Sequence, residues 1–120
     1  MSHIATIETE IRDPGAIAAA CQRIGAKALG VSTFDVFGVQ TAGFGVQLNG
    51  WTFPVVCNTK TGAVSYDNYN GRWGAIAELD RFKQAYAIEK AKAEARKAGH
   101  SVREQAQADG SVKLTISLGA

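Results

Sequence analysis

The stretch from Tyr66 to Trp73 carries the residues best suited to bind a ligand. It reads Tyr-Asp-Asn-Tyr-Asn-Gly-Arg-Trp, so three aromatic rings and one guanidinium fall within eight positions. Aromatic rings offer flat faces for stacking, and Arg72 can grip a carboxylate or phosphate through two parallel hydrogen bonds. The start of a following helix would add free backbone amides for an anion. The pattern predicts a site for a small anionic ligand, either nucleotide-like or an acidic metabolite.

Further residues along the predicted helix would enlarge this site. The candidate ligand-binding residues are Tyr66, Tyr69, Arg72, Trp73, Arg81 and Tyr86. A purely structural alternative stays open at this point. In that alternative the aromatic rings of the loop seal the edge of a sheet beneath the helix, while Asp67 and Asn70 cap the helix.

Metal and nucleophile chemistry find little support in the sequence. His3, Cys21, Cys57 and His100 lack the closely spaced ligand pairs of a zinc site, so we predict no metal and no cofactor. No Gly-x-Ser-x-Gly elbow is present, and no catalytic residue is assigned. The glycines around Phe44 are not followed by a helix, so they indicate bulges or crowded backbone positions where a helix crosses the sheet rather than a phosphate loop.

Composition predicts one domain and narrows the classes of partner. The chain has 120 residues, of which 46% are hydrophobic, enough for one domain with its own core. A net charge of +2 does not by itself imply nucleic acid. Two distant cysteines and the lack of a leader pattern predict a cytoplasmic protein. No apolar run approaches the roughly 20 residues needed to cross a bilayer.

Two segments have helical spacing and recognisable ends. The longer is predicted from Trp73 to Ala98, because apolar residues from Ile76 to Tyr86 recur every three or four positions and Gly99 follows as a left-handed cap. Beyond Tyr86 it becomes alanine-rich and charged, so we expect this half to project. The shorter is predicted from Pro14 to Ile24, between a capping aspartate and a terminating glycine.

The remaining sequence is typical of strands. Asn49-Gly50 and Asp109-Gly110 are the two hairpin signals, because these residues tolerate positive φ. Pro54 indicates an edge strand or a bulge, since it cannot donate a ladder hydrogen bond. The predicted strands are Ser2 to Ile11, Phe34 to Gln40, Gly43 to Leu48, Trp51 to Cys57, Ala63 to Tyr66, Val102 to Gln107 and Val112 to Leu118.

These elements predict an α+β fold. Their order is strand, helix, three or four strands, long helix, two strands. A mostly antiparallel sheet with the short and the long helix on one face satisfies that order, within a single domain spanning residues 1–120.

Both ends of the chain resemble a known family. The opening Ser2-His3-Ile4-Ala5-Thr6-Ile7 to Asp13 is one part of the likeness. The other is the closing block with Phe82 to Tyr86, Ala98-Gly99-His100-Ser101-Val102, Glu104 and Asp109-Gly110-Ser111. Together they resemble the family called hypothetical chloroplast reading frame thirty-five, a domain of unknown function in cyanobacteria and red-algal plastids. The likeness covers about half the chain. It implies fold boundaries and supplies no catalytic residue.

The functional expectation is a small non-catalytic binding protein that forms a homo-oligomer and binds its anionic ligand near residues 66–73. The alternative is an accessory subunit that docks another protein through the long helix 73–98. An enzyme is a distant third possibility, since nothing resembles a catalytic signature. The expected partners are a second copy of the chain, a small anion or another protein, with no membrane and no nucleic acid.

Overall fold

A computed structural model describes residues 10–36 and 38–118. The predicted strand at Ser2 to Ile11 therefore lies outside the described residues except for its last two positions, which are not in a strand. The fold is α+β. Its helices are α1 (Pro14–Ile24) and α2 (Ile76–Lys97), and its strands are β1 (Lys27–Val36), β2 (Val39–Gln47), β3 (Val55–Cys57), β4 (Val64–Ser65), β5 (Ser101–Ala106) and β6 (Val112–Ser117).

Helix α1 has the predicted bounds and caps. The Asp13 carboxylate accepts the backbone N–H groups of Gly15 and Ala16 at 2.9 and 3.3 Å, and Pro14 fills the first helical position. Gly25 ends the helix with φ of 72°, a left-handed conformation that glycine adopts without penalty. Local chemistry alone fixes both ends of this helix.

Strands β1 to β4 form an antiparallel sheet in chain order. The prediction of a link between Gln40 and Gly43 was wrong, because both positions lie inside β2 and pair with β1. The chain turns instead at Gly38, whose N–H donates to the Asp35 carboxylate at 2.6 Å and whose φ is 82°. An aspartate three residues before a glycine commonly forms a turn of this kind. The apolar pattern of the surrounding strands led us to place the turn elsewhere.

The Asn49-Gly50 turn is present, but the strand after it is shorter than predicted. The N–H of Trp51 donates to the Leu48 carbonyl at 3.2 Å, and Gly50 has φ of 77°. Pairing with β2 resumes only at Val55, so Trp51 to Pro54 is not strand. The backbone of this segment makes its hydrogen bonds outside the sheet. The Trp51 carbonyl accepts from the Gln47 side-chain amide, and the Thr52 N–H donates to the Trp73 carbonyl.

Helix α2 begins three residues later than predicted. The carbonyls of Trp73, Gly74 and Ala75 accept hydrogen bonds from Thr52, Asn68 and the Trp51 indole. These partners hold residues 73–75 as an extended approach to the helix. At the other end Gly99 has φ of 83°, and the N–H of His100 bonds the Ala95 carbonyl, which confirms the predicted stop.

Strands β5 and β6 form a separate two-stranded sheet, so the single predicted sheet is divided in two. The Asp109-Gly110 turn between them is confirmed, with Ala106 paired to Val112. This hairpin packs along α2. Its apolar side is only partly covered, because Ile116 and Leu118 remain 42% and 77% exposed.

Both helices and one face of the larger sheet share a single core. Phe44, Val46, Val55, Cys57 and Val64 supply the sheet side of that core. None of the described helices combines the length and the hydropathy needed to cross a membrane.

Four charged side chains tie α1, α2 and β5 together outside the core. Arg23 pairs with Glu89 at 3.0 Å and also with Glu104, and Lys92 pairs with Glu104 at 3.1 Å. These side chains are 15 to 29% exposed, so solvent screens them in part. Hydrogen bonds from Arg23 and Lys92 lower the pKa of the Glu104 carboxyl below its ordinary value.

A lowered folded-state pKa makes the stabilisation by Glu104 pH-dependent. It is present above the unfolded-state value of 4.5 and is lost as the pH falls through the folded-state pKa. We expect Glu104→Gln to lower the free energy of unfolding at pH 7 by about 1 kcal/mol or less. Urea denaturation of both proteins at pH 7 and at pH 3 measures this. Asp13 and Glu94 also have lowered pKa values, but they are common to both proteins and cancel in the comparison. The difference in the free energy of unfolding should be smaller at pH 3 than at pH 7, because protonation removes the charge of Glu104. A gap of equal size at both pH values would contradict the assignment.

Candidate functional site

The loop that joins β4 to α2 starts from a buried tyrosine. Tyr66 is 7% exposed, and its ring meets the Trp51 ring edge-on with centroids 5.8 Å apart. Burial, with a smaller contribution from the Asp80 carboxylate, raises the pKa of its hydroxyl. Tyr66 therefore belongs to the core at the start of the loop, and its ring is not exposed for stacking on a ligand.

Hydrogen bonds within the loop hold its backbone in a tight turn. The Asp67 side-chain carboxylate accepts the Tyr69 N–H at 2.9 Å, and the backbone carbonyl of Asn68 accepts from the N–H groups of Gly71 and Trp73 at 3.0 Å each. Tyr69 and Asn70 adopt φ values of 47° and 54°. A left-handed conformation is costly for a bulky residue such as tyrosine, by roughly 1 kcal/mol or more, and persists only where neighbours enforce it.

The strained turn places aromatic rings and a cation in contact. We call Phe53, Tyr69, Arg72 and Trp73 the Tyr69 stack. The rings of Tyr69 and Trp73 are stacked with centroids 4.7 Å apart and planes inclined by 21°, and the Phe53 ring meets Trp73 edge-on at 5.3 Å. The Arg72 guanidinium carbon lies 5.4 Å from the centre of the Tyr69 ring, within the range of a cation–π interaction. Tyr69 is 39% exposed, so the stack faces solvent.

The loop carries one cation and one acid. Within the described part of the chain Arg72 has no ion pair, and its guanidinium lies against the nearby Tyr69 ring. Asp67 uses one carboxylate oxygen to cap the turn and adds a negative charge to the same loop. A guanidinium over a ring still has N–H donors for a carboxylate. The arrangement can therefore bind a single negative charge beside the exposed part of the Tyr69 ring.

Trp51 anchors this loop to the core, and the sequence interpretation did not assign it that role. Its indole N–H donates to the Ala75 carbonyl at 3.0 Å. A Cβ on Gly74 would lie 2.3 Å from the indole ring, so only glycine fits beneath it. Asn68 was missed as well, although its side-chain amide holds the Gly74 carbonyl at 3.2 Å. A glycine directly after Trp73 was the one local signal of a close contact.

Two predicted site residues are engaged elsewhere. Tyr86 is 2% exposed, and its hydroxyl accepts the backbone N–H groups of Arg12 and Asp13 at 3.2 Å each. Arg81 lies 3.5 Å from the Glu78 carboxylate and lines a shallow groove of about 130 Å³ together with residues of α1 and β6. The structure thus groups Tyr69, Arg72 and Trp73, and gives Tyr66, Arg81 and Tyr86 other neighbours.

The thiols are held in their neutral form. Burial raises the pKa of Cys21 to about 11 and that of Cys57 to about 12. A thiolate is the nucleophilic form, so neither thiol is activated at neutral pH. No group of three or more His, Cys, Asp or Glu side chains in the described residues is placed to hold a metal ion. His3 lies outside those residues.

The alanine-rich half of α2 does not project as the sequence suggested. Ala95 is buried, and Lys90 pairs with the Asp13 carboxylate of α1 at 3.1 Å. The β5–β6 hairpin packs on this helix as well. A partner docking here would meet a helix already contacted by α1 and the hairpin, on which positions such as Ala87 remain exposed.

Searches of protein-family models, of curated proteins and of solved structures find no match to this chain. The resemblance of its two ends to the chloroplast reading-frame family therefore stays a prediction.

Proposed function

We propose that the protein is a non-catalytic binding protein that holds a small anionic ligand at the Tyr69 stack. The observation that carries the proposal is the Arg72 guanidinium held 5.4 Å from the exposed ring of Tyr69, which is itself backed by Trp73. Hydrogen bonds within the loop hold Tyr69 and Asn70 in left-handed conformations and so fix this arrangement in advance. Preorganisation of this kind lowers the entropic cost of binding.

The charges favour a ligand with one carboxylate over a polyphosphate. The loop offers a single guanidinium, and Asp67 in the same loop would repel each further negative charge. Tyr69 is partly exposed beside Arg72, so an apolar group attached to that carboxylate would contact its ring. Aromatic acids match both features, and a nucleoside monophosphate would match them less well.

Calorimetric titration tests the proposal with defined probes. The probes are benzoate, its uncharged analogue benzamide and adenosine monophosphate. We expect benzoate to bind more tightly than benzamide, because only the carboxylate gains the charge-assisted bonds to Arg72. The removal of such a bond costs about 1.5 to 3 kcal/mol. Arg72→Ala should therefore weaken benzoate binding by about tenfold or more.

A matched control separates the site from general surface charge. Arg96 is an exposed arginine in the last turn of α2, and Arg96→Ala removes the same net charge away from the loop. The proposal requires Arg96→Ala to bind benzoate as the parent does. Equal affinity of parent and Arg72→Ala for both benzoate and adenosine monophosphate would contradict the proposal.

A substitution of Trp73 distinguishes a binding site from a purely structural aromatic cluster. Trp73 contacts both Phe53 and Tyr69, so Trp73→Ala should reduce benzoate affinity and also lower the melting temperature. Thermal unfolding with and without benzoate measures both effects. If Trp73→Ala lowers the melting temperature and leaves affinity unchanged, the stack serves only to close the sheet beneath α2.

A further inference from the structure

Strand β1 is an unusually open edge of the larger sheet. Within the described chain it pairs with β2 alone, and seven of its ten residues are exposed. Val31 is 74% exposed and Leu29 is 37% exposed. The opposite edge strand, β4, has only two residues. An edge of this length presents a row of backbone N–H and C=O groups to any strand that approaches it.

The usual protection of such an edge is missing from its centre. From Ala28 to Phe34 the strand contains no charged residue and no proline, which are the residues that commonly block edge-to-edge pairing. A bulge interrupts the register between Ala28 and Gly30, near one end, and leaves regular pairing with β2 from Gly30 to Val36. The edges of the smaller sheet differ, since β5 carries Arg103 and Glu104 and β6 carries Lys113.

We propose that β1 pairs with β1 of a second copy of this chain, antiparallel and about a two-fold axis between Val31 and Thr33. The placement of charge supports this occupant and this direction. Lys27 and Asp35 stand at opposite ends of the uncharged segment. Antiparallel pairing brings the lysine end of one copy to the aspartate end of the other, whereas parallel pairing would oppose like charges.

The size of the edge predicts a weak, concentration-dependent dimer. Ten residues span about 33 Å, and a sheet with its side chains is about 10 Å thick, which gives roughly 330 Å² per copy. Twice that area is below the roughly 1,200 Å² of stable complexes. The pairing is independent of the Tyr69 stack, so the two proposals can fail separately.

Charges introduced along the β1 edge test the dimer. Two variants each change two exposed residues on one face of β1, namely Val31→Lys with Thr33→Lys, and Val31→Glu with Thr33→Glu. Sedimentation velocity from micromolar to millimolar concentration should show the parent associating and each variant at least tenfold weaker. An equimolar mixture of the lysine and glutamate variants should recover the association, because opposite charges then face each other across the proposed two-fold axis. Recovery also requires that both variants be folded.

The control places the same change on the other exposed apolar surface. Ile116→Lys with Leu118→Lys alters the β5–β6 hairpin and should associate as the parent does. A parent that stays monomeric throughout would overturn the proposal. It would also be overturned if the hairpin pair abolished association while the β1 variants did not, or if the mixture of charged variants failed to associate.

Discussion

Trp51→Ala is expected to lower the free energy of unfolding by about 3 to 5 kcal/mol, the cost typical of removing a large buried ring. Trp51 is 5% exposed, and its ring packs on Tyr66 and fills the space against Gly74. Its indole N–H also satisfies the Ala75 carbonyl just before α2, so the substitution removes a hydrogen bond together with the packing. Denaturant unfolding of parent and variant at one temperature measures the difference.

Trp73 is the matched control for this prediction, because the chain has only two tryptophans. Trp73 is partly exposed and packs against the rings of Phe53 and Tyr69. Trp73→Ala should therefore cost less than Trp51→Ala. A larger loss for Trp73→Ala would mean that the Tyr69 stack, and not Trp51, anchors the loop.

Gly43→Ala is expected to lower the free energy of unfolding by about 2 kcal/mol or more, because a steric clash within the larger sheet adds to backbone strain. A Cβ at Gly43 would lie 2.6 Å from the Cys57 carbonyl oxygen and 2.8 Å from a Val56 methyl group. The carbonyl is backbone and cannot yield without a shift of β3. Gly43 also has φ of 156°, which side chains rarely tolerate.

Gly50→Ala is a control that introduces backbone strain without a steric clash. Gly50 has φ of 77° in the turn after β2, and a Cβ there would meet nothing within 4 Å. It should cost only the conformational penalty of a left-handed alanine, about 1 kcal/mol. Thermal unfolding of both variants gives the comparison. Equal losses would show that β3 moves away from Gly43 at no cost.

Local sequence chemistry predicted the helices well. The caps of α1 and the glycine that ends α2 depend on residues within a few positions of each other, and both are confirmed. The start of α2 was placed too early because the carbonyls of residues 73–75 bond to Thr52, Asn68 and Trp51. Two of these partners lie more than twenty residues away in the chain, and no local pattern reveals such contacts.

The strands show the same limit. The glycines near Phe44 are crowded as predicted, but the crowding comes from neighbouring strands and not from a helix that crosses the sheet. Gly43 meets the backbone of β3, and Gly45 lies under the Phe34 ring. The division into two sheets was not anticipated. Alternation within β6 identifies its apolar face, but it does not say whether that face joins the larger sheet or packs along α2.

The candidate site was predicted where its residues are adjacent in the chain. Tyr69, Arg72 and Trp73 come together because one short turn holds them. Arg81 and Tyr86 were added by helical spacing alone. Spacing could not show that the Tyr86 hydroxyl serves the backbone of Arg12 and Asp13 across the fold.

A nuclear magnetic resonance titration with benzoate tests the central claim most directly. The two indole N–H signals give an internal comparison, because Trp73 belongs to the Tyr69 stack and Trp51 is buried with its N–H bonded to Ala75. We predict that benzoate shifts the Trp73 indole and Arg72 side-chain N–H signals in a saturable way and leaves the Trp51 indole signal in place. Benzamide at the same concentrations should shift them much less. The absence of saturable shifts at Trp73 and Arg72 with both benzoate and adenosine monophosphate would contradict an anion site at the Tyr69 stack.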